Sequence, residues 1–409
     1  MNSNKSTNGT RSTWVELAAL PLIAGFALGS SFLLGGDDSL RMIKSFAPQI
    51  ASTSLSTSTS TNEGTNPGRH VAEFKAEATQ PWGLLKTNAA EAWRIGQGSE
   101  KIVVAVIDTG ADITHPDLEA NIWTNPGETG LDKNGNDKAS NGIDDDGNGF
   151  VDDVHGWNFV FDNQDVRDNH GHGTHIAGII GGTGTARMSG VSPNVSLMIL
   201  KYFDPRKPNQ NPLTATVQAI KYAVANGANV INYSGGGLSP NSEELAALSE
   251  ASKKGILVIA AAGNEHSNSD NAPYFPADYD LPNILSVTAI DPRSRVLPTS
   301  NYGAHSVDIA APGEDIFSTM PGGTYGKMTG TSQATAFATG VAVLVMASHP
   351  NLKTPAQIIE HLISTGETTA SLRGKTRTRS TLNAYRALAM HDETEVELPV
   401  TAADLVVMH

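Results

Sequence analysis

Three short segments carry groups that together can do chemistry none of them can do alone: Val106-Ile107-Asp108-Thr109-Gly110, His172-Gly173-Thr174-His175 and Gly330-Thr331-Ser332. A serine hydroxyl is a poor nucleophile at neutral pH. It attacks a carbonyl when an imidazole takes its proton and a buried carboxylate fixes the imidazole's tautomer and stabilises its cation. Singly, each group has a plainer reading: Asp108 as a turn former, Ser332 as the N-cap of a small-residue helix. Asp-Thr-Gly also serves aspartic proteases, where two such carboxylates share a proton, but this chain has no second Asp-Thr/Ser-Gly. His172 and His175 stand at i, i+3 without the Glu placement of a zincin, which disfavours a metal reading.

The elements that must position these groups are legible as alternating apolar runs and helical patterns. Strands are expected at 101–107, ending on Asp108, and at 196–201, 229–232, 256–261, 284–289 and 307–310. Helices are expected at 214–226, 243–254 and 333–346. Continuous rather than alternating apolar strands imply a mainly parallel central sheet with helices on both faces, an α/β three-layer fold. Active groups then sit beyond the carboxyl ends of strands, where Asp108 stands.

The order Asp, His, Ser and the residues around each group resemble the subtilisin-like serine proteases. The resemblance runs over about 80–390 and includes Asn301-Tyr302-Gly303 and Ala310-Ala311-Pro312-Gly313. It implies that Ser332 is the nucleophile, His172 the base and Asp108 its orienting partner, with His175 structural. It also implies that Asn264, in Ala260-Ala261-Ala262-Gly263-Asn264, donates to the developing oxyanion beside the Ser332 N–H. Ser234, Gly235 and Gly236 would pair edge-on with an extended peptide. Ala262 and Gly263 would wall the pocket for the residue before the scissile bond, and Tyr274 would form its floor, favouring small or medium side chains. The chain departs from the family's serine segment at Gln333, Ala336 and Phe337, where Met, Pro and His are usual.

An acidic loop spans 132–153. Asp144, Asp146, Asn148 and Asp152 fall at positions 1, 3, 5 and 9 of an EF-like loop, with His155 in place of the bidentate Glu at 12. These four are the expected ligands of a structural calcium ion (Ca2+). Gln80 and Asp117 match a calcium site of the family, although the ligand loop that normally completes it is here 181–188, rich in Gly and Thr.

With 17% charged and 39% hydrophobic residues, 40 Gly and 21 Pro, the 409-residue chain reads as loop-rich α/β. The absence of cysteine excludes disulfides, zinc thiolates and a thiol nucleophile. A net charge of −14 argues against nucleic acid as a partner. Leu17 to Leu34 is nearly uncharged, with Lys5 and Arg11 before it and Asp37 and Asp38 after it, the asymmetry of a signal sequence or anchor. The expected organisation is a signal peptide or anchor at 1–36, a Ser/Thr-rich linker or short prosegment at 37–74, a peptidase domain at 75–390 and a tail at 391–409. The function expected is that of an exported, monomeric serine endopeptidase acting on proteins or peptides, secreted, periplasmic or membrane-anchored through its N-terminal segment. The alternatives are an inactive peptide-binding scaffold and an acyl-transferring transpeptidase or macrocyclase.

Overall fold

The computed structural model describes residues 81–390. The hydrophobic N-terminal segment, the Ser/Thr-rich stretch, Gln80 and the C-terminal tail lie outside the described residues.

The strands are β1 (Gly98–Asp108), β2 (Gly156–Asn158), β3 (Asn194–Lys201), β4 (Val230–Tyr233), β5 (Leu257–Ala261), β6 (Ile284–Ile290), β7 (Ile309–Pro312), β8 (Ile316–Met320), β9 (Thr324–Met328), β10 (Glu367–Thr368) and β11 (Ser380–Thr381). The helices are α1 (Trp82–Lys86), α2 (Ala89–Ala92), α3 (His172–Gly181), α4 (Pro212–Ala225), α5 (Ser242–Lys253), α6 (Thr331–Ser348), α7 (Pro355–Ser364) and α8 (Ala384–Ala389). Nine strands form one sheet in the order β10-β11-β7-β6-β5-β4-β1-β3-β2, in which only the β10–β11 pair is antiparallel. The fold is therefore the expected three-layer α/β arrangement.

Both faces of the sheet are covered, so its strands read as unbroken apolar runs. Along β1, Val104 and Val106 enter a core shared with α3, α6, α7 and α8, while Ala105 and Ile107 enter a second core under α4 and α5. Helix α6 is apolar all round and buried along most of its length, with Val341, Val343, Leu344 and Val345 fully covered. It is long and apolar enough to cross a membrane, but 83% of it is buried inside the protein, as in a core helix. Each of these aliphatic side chains contributes roughly 1.5–3 kcal/mol on burial. Phe337 belongs to this packing: a Cβ on Gly83 of α1 would stand 2.3 Å from its ring.

After β1 the chain builds β2 and β3 on one side and then returns to build β4 on the other. This reversal leaves a crevice beyond the carboxyl ends of β1 and β4, the usual ligand position in an open parallel sheet. The predicted strands and helices agree with the observed ones to within three residues at each end. The short β2 and the β8–β9 hairpin were not predicted, because three residues, or a half-exposed ribbon, carry too little apolar signal.

Candidate active site

Asp108 is the last residue of β1 and is 2% exposed. His172 opens α3 after Gly171, whose φ of 100° turns the chain into the helix. The His172 ring meets Asp108 through Nδ1 and Oδ1 at 2.7 Å. This approach requires Gly173, since a Cβ there would lie 2.1 Å from the Gly110 carbonyl oxygen and 3.1 Å from Asp108. Burial alone would lower the His172 pKa; the charge and hydrogen bond of Asp108 outweigh it and hold the imidazole above its ordinary value. His175 has no such partner. Its Nε2 meets the Ile316 carbonyl at 2.8 Å, and burial pushes its pKa down to about 4, as suits a neutral packing residue.

Ser332 is the second residue of α6 and 6% exposed. Its Oγ donates to the Ser234 carbonyl at 3.0 Å, and Ser234 Oγ donates to the Ser332 carbonyl at 3.3 Å. Ile107 is in register with Tyr233, so Asp108 and Ser234 leave the sheet side by side, and Ser332 is joined to that same strand end. Gly330, the N-cap, has no side chain with which to cap α6. Asn264 supplies the missing acceptor: its Oδ1 takes the Thr331 N–H at 3.0 Å. That contact fixes the amide, because a backbone N–H requires the oxygen, and so leaves the Asn264 NH2 as a donor.

Two residues to which the sequence assigned no role, Asp168 and Asn301, hold these segments in place. Asp168, 8% exposed, accepts from Thr109 Oγ1 at 2.9 Å and from the N–H groups of His170 and Gly171, both at 2.8 Å. Its other oxygen accepts from the Thr174 N–H at 2.9 Å and Thr174 Oγ1 at 2.7 Å. Thr109 Oγ1 in turn accepts from the Gly173 N–H at 2.9 Å, so the residues after Asp108 and after His172 are tied through one carboxylate. Asn301, fully buried, does the same for the Asn264 loop. It donates to the Ala262 carbonyl at 2.9 Å and accepts from Glu265 N at 3.0 Å and Ser267 N at 2.9 Å. The available signals were an Asp four residues before His172 and the Asn of Asn301-Tyr302-Gly303.

Beyond β4, Gly237 and Phe275 form an antiparallel bridge, each donating its N–H to the other's carbonyl at 2.8 Å. Gly235 and Gly236 have no backbone partner among the described residues. The Tyr274 ring stands between the two glycine-bearing walls. A Cβ on Gly236 would lie 2.5 Å from Tyr274 Cε1, and one on Gly263 2.9 Å from Cδ2. Ala262 is buried behind Gly263.

Most of the carboxylates expected to hold metal are engaged by donors of the protein itself. Asp117 Oδ1 accepts from Ala186 N at 2.6 Å, and Oδ2 accepts from Arg187 N at 3.0 Å, Met188 N at 2.8 Å and Tyr325 OH at 2.6 Å. Its oxygens are thus committed to donors from the 186–188 loop and β9. Arg187 lies 5.0 Å from the Phe317 ring centroid and 5.3 Å from that of Tyr325, closing the same corner. The EF-like set does not converge either. Asp144 accepts the N–H groups of Gly147, Asn148 and Gly149, and Asp152 accepts that of Gly142. Asn148 Oδ1 takes the Phe150 N–H. Of the four, Asp146 alone offers an oxygen to a carboxylate cluster, and its companions there are Glu128 and Asp153.

The profile of the subtilase family matches residues 99–385. Thermitase from Thermoactinomyces vulgaris is 31% identical over 313 residues, 76% of this chain and 96% of that protein. Subtilisin DY from Bacillus licheniformis is 32% identical over 289 residues, 70% of this chain and 91% of that protein. Subtilisin-like protease 2 from Plasmodium falciparum is 32% identical over 317 residues, 75% of this chain; the match spans 22% of that relative's length.

Proposed function

Since this chain belongs to the subtilase family, we propose that it is an exported serine endopeptidase that works through an acyl-enzyme on Ser332. The hydroxyl exchanges its resting acceptor, the Ser234 carbonyl, for His172 Nε2 and attacks the substrate carbonyl carbon as His172 takes its proton. Asp108, on Nδ1 at 2.7 Å, keeps the ring in the tautomer that leaves Nε2 free to accept and stabilises the imidazolium that forms. The oxyanion is met by the Asn264 NH2 and the Ser332 N–H at the start of α6. Collapse expels the amine, which takes the proton from His172. Water then repeats the sequence on the ester, releasing the acid and restoring Ser332.

The substrate lies as an extended strand against Gly235 and Gly236, whose backbone groups are open to it. Tyr274 between Gly236 and Gly263 shortens the pocket for the side chain before the scissile bond, so small residues are preferred there. The observation that carries this reading is the buried Asp108–His172 pair at the carboxyl end of β1, level with the Ser234 that holds Ser332.

A serine-directed fluorophosphonate tests it. The parent is expected to add one phosphonyl group and lose peptide hydrolysis, and Ser332→Ala to show neither labelling nor hydrolysis. Hydrolysis that survives in Ser332→Ala refutes the assignment, and a parent that neither labels nor hydrolyses is a peptide-binding scaffold.

A further inference from the structure

Glu128, Asp146 and Asp153 come from separate places: a short turn at Pro126–Glu128, the acidic loop, and the approach to β2. Each offers a carboxylate oxygen, and these oxygens all lie within 4.8 Å of one another. Glu128 and Asp153 are fully buried, while Asp146 is exposed and opens the cluster to solvent. Among the described residues the ion pairs include none of the three. Lys138 Nζ goes to the Gly127 carbonyl at 3.2 Å.

The partners that the cluster does have are neutral. Asn125 Nδ2 donates to Asp146 at 2.9 Å and to Asp153 at 2.8 Å, and Asn148 Nδ2 to Asp153 at 2.9 Å and Asp146 at 3.2 Å. Tyr222 OH donates to Asp153. The N–H groups of Asp145, at 2.7 Å, and Asp146, at 3.3 Å, go to Glu128 Oε1. Glu128 Oε2 is left buried with no donor. An unpartnered carboxylate oxygen beside two other carboxylates is costly unless something positive is supplied.

We propose that Glu128, Asp146 and Asp153 bind one calcium ion, with Glu128 Oε2 as the ligand for which the protein provides no other partner. All the candidate ligands are hard oxygens. Two oxygens bonded to one calcium ion at 2.3–2.6 Å are at most about 5 Å apart, which is the spread observed. Magnesium, with its shorter bonds and strict octahedral demand, fits a side-chain set borne on loops less well. The ion fastens the acidic loop to α4 through Asp153 and Tyr222, beside Phe150, whose ring meets Tyr222 at 4.9 Å and Trp157 at 5.0 Å. The competing occupant is a proton: burial, with the neighbouring carboxylates adding to it, raises both Glu128 and Asp153 above their ordinary values.

The test uses the full chain carrying Ser332→Ala, so that self-digestion and the peptidase reading play no part in the outcome. Tm is compared in excess EGTA and in millimolar calcium, and tryptophan-sensitised terbium luminescence reports direct binding. Calcium is expected to raise Tm by roughly 5–10 °C, the linkage expected when the ion is some thousandfold above its Kd. Glu128→Gln is expected to lose most of that rise and to weaken terbium binding at least tenfold, while its Tm in EGTA matches or exceeds the parent's. Asp144→Asn, outside the cluster, is expected to keep both responses. If Glu128→Gln fails to fold, Asp146→Asn at the exposed ligand must lose them instead. An undiminished rise in Glu128→Gln or Asp146→Asn overturns the proposal by placing the ion elsewhere. A parent with neither a Tm rise nor a terbium signal overturns it in favour of the shared proton.

Discussion

Replacing Tyr274 by Ala should convert a preference for small side chains before the scissile bond into tolerance of large ones. The ring fills the gap between Gly236 and Gly263, and it approaches both so closely that neither position has room for a methyl group. Removing it opens a slot of aromatic size bounded by backbone and the buried Ala262. A Phe side chain of the substrate that enters this slot gains the free energy of full burial, roughly 1.5–3 kcal/mol. Expressed as kcat/KM for a peptide with Phe before the bond, relative to the same peptide with Ala, that is a roughly 10- to 150-fold rise in the ratio. The substitution also removes packing. Full Phe-to-Ala truncation in a core costs about 3–5 kcal/mol, and this half-buried ring should cost roughly 2 kcal/mol. The ratio is immune to that loss, because both peptides meet the same folded fraction of enzyme. Competition between the two peptides in one tube, read by mass spectrometry, gives it directly. Tyr274→Phe, which keeps the ring, should leave the ratio unchanged. The reasoning fails if the parent already cleaves best after Phe, or if Tyr274→Ala moves the ratio by less than about threefold.

The remaining predictions concern the proton and the oxyanion. Activity needs neutral His172, and Asp108 raises its pKa, so the acidic limb of kcat/KM against pH should have its midpoint above the ordinary imidazole value of about 6.5. Stability moves the other way: the protonated ring is favoured in the folded state, so its contribution is complete below the unfolded pKa and is lost as pH rises through the folded one. Asp108→Asn should shift the acidic limb down and lower kcat about 10⁴-fold; a limb that stays put would remove Asp108 from the assignment. Asn264→Ala should reduce kcat about 10²- to 10³-fold with little change in KM, as expected for a donor that strengthens its bond only as charge develops. A loss confined to KM would make Asn264 a substrate contact instead.

What the chain discloses by itself is local. The strand at 101–107 and the one at 256–261 were legible because a parallel strand covered on both faces is a continuous apolar run. Asp108, His172, Ser332 and Asn264 stood out because each sits in its own short signature of small residues. The supports were not legible, because a support is defined by what comes to it. Asp168 becomes a hub only when Thr109 and the turn into α3 deliver their donors. The carboxylates show the same rule most sharply. Spacing along 144–152 suggested an ion, yet Asp144 serves its own turn, as acidic residues in tight loops commonly do, and Asp152 takes the N–H of Gly142 at the other end of the loop. A family pattern suggested an ion at Asp117, yet Tyr325 and a loop of N–H groups fill its oxygens, the tyrosine arriving from 208 residues away. Glu128 carried no pattern and is the member of the cluster left with a bare buried oxygen. Asp146 and Asp153 beside it are supplied by neutral donors alone, so what distinguishes the cluster is three carboxylates gathered within 4.8 Å around one oxygen that no donor reaches. Three carboxylates drawn together with no cation among their partners, one of them with a bare buried oxygen, are stabilised by taking up a cation or a proton.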